Sequence, residues 1–264
     1  MKKKLIAVPY YVWAAVFIIV PLLMIAYSAF TDTQGNFTLD NIVQIGKYWP
    51  VMLRSMLYAL VATVCCLVLG YLLAYFMAQQ SERTKTLLMI LLMLPMWINF
   101  VLRTQAMQDL LDLIQNWLRI ADIPLQISNN PFAVVLGLIY NYLPFMVLPI
   151  YTSLEKLDQR VIEAAEDLGA NRFNVFRKVI LPLTMPGVGS GIIMVFVPTI
   201  STFVISEKLG GAKHNLIGNV IQEQFLQVYN PNVGAAISLV MLILILFILI
   251  IFSALDEETK EGLL

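Results

Sequence analysis

One stretch of this chain is charged and chemically patterned: residues 158–183, DQRVIEAAEDLGANRFNVFRKVILPL. Glu163, Glu166 and Asp167 surround the small pair Ala164-Ala165, Gly169 follows, and Leu181-Pro182 lies beyond it. Carboxylates around small side chains on a helix make a seat for a partner's groove. They do not make a catalytic centre, because no His/Cys/Asp constellation accompanies them. The rest of the chain supplies no such group either. Cys65 and Cys66 are adjacent, have no metal-ligand spacing and read as small packing residues, and His214 stands alone in a loop. No Gly-x-x-x-x-Gly-Lys-Ser/Thr loop exists to cradle a nucleotide phosphate. With 17 basic and 17 acidic residues, nothing favours nucleic acid.

The elements that must position this segment belong in a lipid bilayer. Hydrophobic residues make up 59% of the chain and charged residues 13%, with a mean hydropathy of +0.80. An ordinary soluble domain carries about twice that charge. Uncharged windows predict six spans, at about 10–30, 55–78, 86–103, 131–153, 180–205 and 233–254. Each is helical, because backbone facing lipid must satisfy its own hydrogen bonds. Tyr10 to Phe30, at about 1.5 Å per residue, reaches roughly 31 Å, so Lys2-Lys3-Lys4 and this stretch read as an uncleaved first span. Residues 104–120 are expected to form an amphipathic helix at the outer surface, with Leu110, Leu113, Ile114, Trp117 and Leu118 on its apolar face.

Orientation follows from the basic residues. A cytoplasmic N-terminus places eleven of the 17 inside, and the six outside are Lys47, Arg54, Arg103, Arg119, Lys208 and Lys213. The bias puts both termini, and the loop 155–178, in the cytoplasm. Within that loop Leu157, Val161, Ala164, Ala165 and Leu168 form one apolar stripe. Gly169 allows a left-handed turn, Asn171 caps a second short helix with Phe173 and Phe176, and Pro182 suits the first turn of the fifth span. That span is rich in Pro and Gly, including Gly187 and Gly191, which marks it for the bundle centre.

The order Glu163-Ala164-Ala165, Gly169, then Leu181-Pro182 resembles the "EAA" loop of permease subunits in binding-protein-dependent ABC importers. Further stretches, 143–171, 179–191 and EKLGGAKHNLIGNVIQEQF at 207–225, are similar to the first of the two permease subunits of spermidine/putrescine importers. The resemblance implies an all-α integral membrane protein: a single permease domain over 1–264 with six spans, the type I importer (MetI-like) fold and a cytoplasmic coupling helix. It implies a bacterial inner-membrane location and alternating access. The implied partners are a second permease, two ATPase subunits and an extracytoplasmic polyamine-binding protein, with ATP and Mg on the ATPase and no cofactor on this chain. It implies ATPase coupling through Glu163, Ala164, Ala165, Gly169, Ala170, Leu181 and Pro182. Gly210, Gly211, Lys213 and Asn219 fall in the last outer loop, where a binding protein would dock and a gate would lie.

A polycation needs carboxylates or aromatic faces along its route. Asp109 and Asp112 share a helical face, Glu207 ends the fifth span, and Trp97, Tyr140 and Tyr142 offer aromatic faces. No carboxylate falls at mid-membrane, so contact with the substrate is expected to be weak and transient. Related importers with this loop carry sulfate, molybdate, thiamine or ferric iron, so another small solute is the alternative. A secondary transporter would need inverted repeats or a buried coupling carboxylate, and neither is present.

Overall fold

A computed structural model describes residues 8–261 apart from Ala212, with side chains described for 9–251. Lys2-Lys3-Lys4 and Ala212 lie outside the described residues. All regular structure among them is helical, with one isolated bridge between Thr31 and Phe37. Five helices are long and apolar enough to cross a membrane, or six if one bent pair counts as a single span.

Helix α1 covers 8–29, with a wide π-turn at Ala15–Ile19, and packs on the last helix. The short turns Asp40–Gln44 and Ile45–Tyr48 lead into α2 (Trp49–Ala78), which starts earlier than expected because Pro50 suits a first turn. Asn41 pins the connection, donating to the carbonyls of Ala29 (3.2 Å) and Thr31 (2.8 Å).

The expected third span, 86–103, is not straight. Helix α3 (Glu82–Trp97) and helix α4 (Phe100–Ile120) meet at a 95° bend. Pro95 removes a backbone donor in the last turn of α3, Ile98 is extended, and Asn99 restarts the helix by accepting from the amides of Val101 (2.9 Å) and Leu102 (3.4 Å). Helix α4 is amphipathic as expected, and it packs inward by its polar face. Arg103, Thr104, Gln108, Leu111 and Gln115 are buried, while Leu110, Leu113, Ile114 and Trp117 are exposed. The polar face has partners inside. Gln115 donates to Leu125 O (3.0 Å) and accepts from Ile127 N (2.7 Å), which closes the return loop 121–130 over it.

Helix α5 (Pro131–Glu155), capped by Asn130, is the most buried span and packs against α2 and the fifth membrane helix. Helix α6 (Gln159–Asp167) makes the elbow, α7 (Arg172–Ser201) recrosses the bundle, and two short helices follow, α8 (Val204–Leu209) and α9 (Ile217–Leu226). Helix α10 (Pro231–Glu261) completes the fold beside α1. Gly187 and Gly191 lie against the α5 backbone at Pro149 and Met146, so this pair serves packing within the chain.

Candidate functional site

The elbow is built from caps at both ends. Asp158 opens α6 by accepting from Arg160 N (3.0 Å). At its close Gly169 adopts φ +84°, with Gly169 N on Glu166 O (2.8 Å) and Ala170 N on Ala165 O (3.1 Å). That pair of bonds is the left-handed stop that glycine makes without strain. The expected single stripe divides in two. Leu157, Ile162, Ala165 and Ala170 pack onto the bundle. Val161, Ala164 and Leu168 point outward together with Glu163, and Leu168 is 90% exposed. Ile162, missed in the stripe, is the residue that turns the helix, because it adds a second apolar direction next to Ala165.

The second short helix is not separate. Asn171 does cap it, accepting from Asn174 N (2.9 Å), but the helix runs on through a π-turn, Phe176–Ile180, into α7. Pro182 therefore starts nothing. It lies in a continuous helix just after the widened turn, where its missing N–H leaves the preceding turn one bond short. Leu181 continues the same helix, its amide donating back to Phe176 O. The Phe176 ring is held edge-on by Tyr71 (5.7 Å) and Tyr75 (5.5 Å) of α2, and Tyr71 also shares a 2.8 Å hydrogen bond with Thr184. The elbow is thus fixed to two membrane helices.

At the far end of the bundle α7 stops at Ser201, short of the expected limit at 205. Thr202 is extended and α8 turns away, so Glu207 does not end the fifth span; it is exposed on this separate short helix. The stretch Leu216-Ile217-Gly218-Asn219 crosses the break. A Cβ at Gly218 would sit 2.6 Å from Ser201 O and 2.7 Å from Thr202 O, so only glycine permits the crossing. Ile217 N donates to Ser55 Oγ (2.8 Å). Asn219 is buried, accepting from Leu216 N (2.9 Å) and Ser206 Oγ and donating to Phe203 O (2.9 Å). It braces the crossing and faces no partner surface. Gly211, at φ +58°, and exposed Lys213 form the turn before it, and Gly210 is buried against Ser206 and Val134. Arg54, counted as an outer loop cation, ties this turn to α2 through the carbonyls of Lys213 (3.3 Å) and Asn215 (2.9 Å). Glu207 borders a polar pocket of about 260 Å³ with Glu223, Asn215, Asn219, Gln222 and Gln227.

The remaining route residues do not converge on one site. Trp97 is exposed at the end of α3, and Tyr142 is half-buried beside Phe145. Asp109 is exposed and takes a bond from Gln105 (2.9 Å). Asp112 does not share that free face: it accepts from Gln108 (3.0 Å) and Ser128 and so holds the return loop. The Tyr140 ring is already occupied, with the Arg103 guanidinium 5.7 Å from its centroid. Arg103 itself, expected in an outer loop, is buried and hydrogen-bonded to Asn141 of α5. Charge counting passed over Asn141 because it is neutral; a lone Asn inside an uncharged window is the signal that would have found the pair.

The model of one protein family, described as "Binding-protein-dependent transport system inner membrane component", matches residues 67–260. The chain belongs to that family. Among relatives of this inner membrane component, the spermidine/putrescine transport system permease protein PotB of Salmonella typhimurium (strain SL1344) is 40% identical over 254 residues, 91% of this chain and 88% of that one. The protein of the same name from Haemophilus influenzae is 37% identical over 91% of this chain and 89% of its own. The inner membrane ABC transporter permease protein YdcU of Escherichia coli is 31% identical over 75% and 68%. A chain of a bacterial ABC transporter involved in importing the acidic polysaccharide alginate superposes with a TM-score of 0.77 at 13% identity, covering 97% of this chain and 94% of that one. A chain of the inward-facing MetNI methionine transporter gives 0.63 at 16%, covering 80% and 94%. This inner membrane component therefore has the helical fold of type I importer permeases, and its part in the system is transport across the membrane.

Proposed function

We propose that this chain is one permease of a heteromeric, ATP-driven polyamine importer in a bacterial inner membrane. A related second permease, two ATPase subunits and an extracytoplasmic binding protein complete it, and ATP and Mg belong to the ATPases. Both termini and the elbow face the cytoplasm, in keeping with the excess of basic residues there. The carrying observation is the outward face of α6, Val161, Ala164 and Leu168 beside Glu163, on an elbow joined to α7 through the Gly169 corner. Exposed apolar groups on a capped, braced turn cost solvation unless a partner covers them. A seated ATPase groove covers them and moves α7 as it closes. Gly169 sets the corner, Ala165 and Ala170 anchor it to the bundle, and Leu181-Pro182 carry it into the membrane helix.

Spermidine and putrescine are the substrates favoured by the relatives' names. Glu207 and Glu223 at the far-side pocket supply carboxylates for ammonium groups, while Gly210, Gly211 and Lys213 supply the turn for a docked binding protein. Exposed Trp97 and Asp109 and half-buried Tyr142 offer secondary contacts along the way.

The test is ATP-dependent uptake of labelled spermidine and putrescine by proteoliposomes holding the full complex. A Glu163→Lys permease should insert and assemble its membrane helices, yet lose uptake and ATPase binding together. Uptake at full rate without nucleotide, or accumulation of an oxyanion in place of either polyamine, overturns the reading.

A further inference from the structure

Arg103 is a charge in an unusual place. It is 8% exposed and faces Asn141, near the middle of α5, yet no carboxylate lies within ion-pair distance of it among the described residues. Its Nε donates to Asn141 Oδ1 (2.9 Å), and its Nη1 donates to the carbonyl of Pro95 (2.9 Å). Asn141 is itself oriented by donating to Gly137 O (2.8 Å). The guanidinium carbon stands 5.8 Å from the Phe100 ring centroid and 5.7 Å from that of Tyr140.

These contacts explain how the charge is tolerated. Pro95 lies in the last turn of α3, at the negative end of the helix dipole, and its carbonyl accepts both the Ile98 amide (3.3 Å) and the Arg103 guanidinium, one on each lone pair. Broken membrane helices present such ends to cations, and here a side chain of the same protein fills the place. Two aromatic faces add cation–π attraction. An acid opposite Arg103 would bind harder and be costly to part from. Neutral acceptors hold the guanidinium with bonds that can be exchanged, and a guanidinium has donors to spare.

We infer that Arg103, Asn141 and the Pro95 carbonyl form a releasable clasp that sets the bend between α3 and α4 and opens and recloses during each transport cycle. Arg103 is a positioning residue. It joins the two halves of the broken span to α5, the helix on which α2 and α7 pack, so a shift within that packed group reaches the bend through this contact. The proposal rests on the transport reading above.

Two variants of the complete, reconstituted complex test it. Asn141→Asp converts the clasp into a buried ion pair. It should lower maximal spermidine uptake about tenfold at unchanged KM, because the guanidinium is then held by a partner costly to part from. Arg103→Gln should lower uptake about tenfold, with partial recovery when millimolar guanidinium is added and none with added potassium. Parental uptake by Asn141→Asp, or by an assembled Arg103→Gln complex, overturns the clasp. If Arg103→Gln fails to insert, Asn141→Asp decides alone, because it keeps the side-chain size and the contact with Arg103. A parental complex that takes up no polyamine would instead count against the transport reading.

Discussion

The elbow and the far-side crossing use similar materials, small residues and side-chain caps, and leave them in opposite states. At the elbow the caps of Asp158, Gly169 and Asn171 close the backbone, while Val161, Ala164 and Leu168 are left facing out. At the crossing, Ser55, Asn219 and Arg54 are engaged with neighbouring backbone, and Gly218 lies flat against two carbonyls. One region keeps surface available, and the other uses its polar groups to hold its own chain. The contrast teaches that resemblance to a functional loop says little about which residues in it face a partner. Asn219 reads as part of a gate loop in the sequence and acts as an internal brace in the fold.

Substitutions can break or sharpen this contrast. The largest effect should come from Gly218→Leu, which drives a side chain into the Ser201 and Thr202 carbonyls. It should cost at least the upper end of the roughly 1–3 kcal/mol typical of overpacking, seen as loss of cooperative melting and of membrane-inserted protein. Leu168→Asp should do the reverse. Its melting should stay within about 0.5 kcal/mol of the parent, since the side chain touches little, while ATPase binding weakens about thirtyfold. A Leu168→Asp protein that unfolds, or a Gly218→Leu protein that melts normally, would erase the distinction.

The smallest effect belongs to Asp32, in the turn beside Thr31 and Asn41. The backbone amide of Asn36, then its side chain and the amides of Gln34 and Gly35, hold the carboxyl below its usual value of 3.8. A lowered folded-state value means stability that is full above the unfolded pKa and is lost as pH falls through the folded one. Asp32→Asn should therefore lower neutral melting slightly and flatten the acid limb of the melting profile below about pH 4, where the parent has already lost this contribution. An unchanged acid limb would remove this turn from the set of far-side braces.

The helical class, the number of spans and the position of the elbow were legible because hydrophobic length and cap residues are local signals. The break at 98–99 was hidden. Pro95 announces a disturbance, but a 95° bend depends on Arg103 finding Asn141, some forty residues on, and pairing at that distance leaves no mark on local periodicity. The inward packing of the polar face of α4 was hidden for a related reason. Hydrophobic periodicity identifies a face without saying which side is covered, and in lipid the apolar side can look outward. At the elbow, Gly169 and Asn171 were readable as stops and caps. The division of the stripe was not, because it needed Ile162 to meet the bundle between α2 and α5. The end of α7 at Ser201 was invisible in hydropathy, since Thr202 to Ile205 remain apolar enough to pass as membrane helix.

The wide turn at Phe176–Ile180 keeps α7 in one piece from the Gly169 corner onward, 30 residues and about 45 Å from Arg172 to Ser201. A hinge there would have absorbed a push at Leu168 within a few residues. Instead, one unbroken rod runs from the corner to Ser201, whose carbonyl lies against the Gly218 crossing. The chain has a lever arm whose gain was fixed by where Pro182 was not allowed to break it.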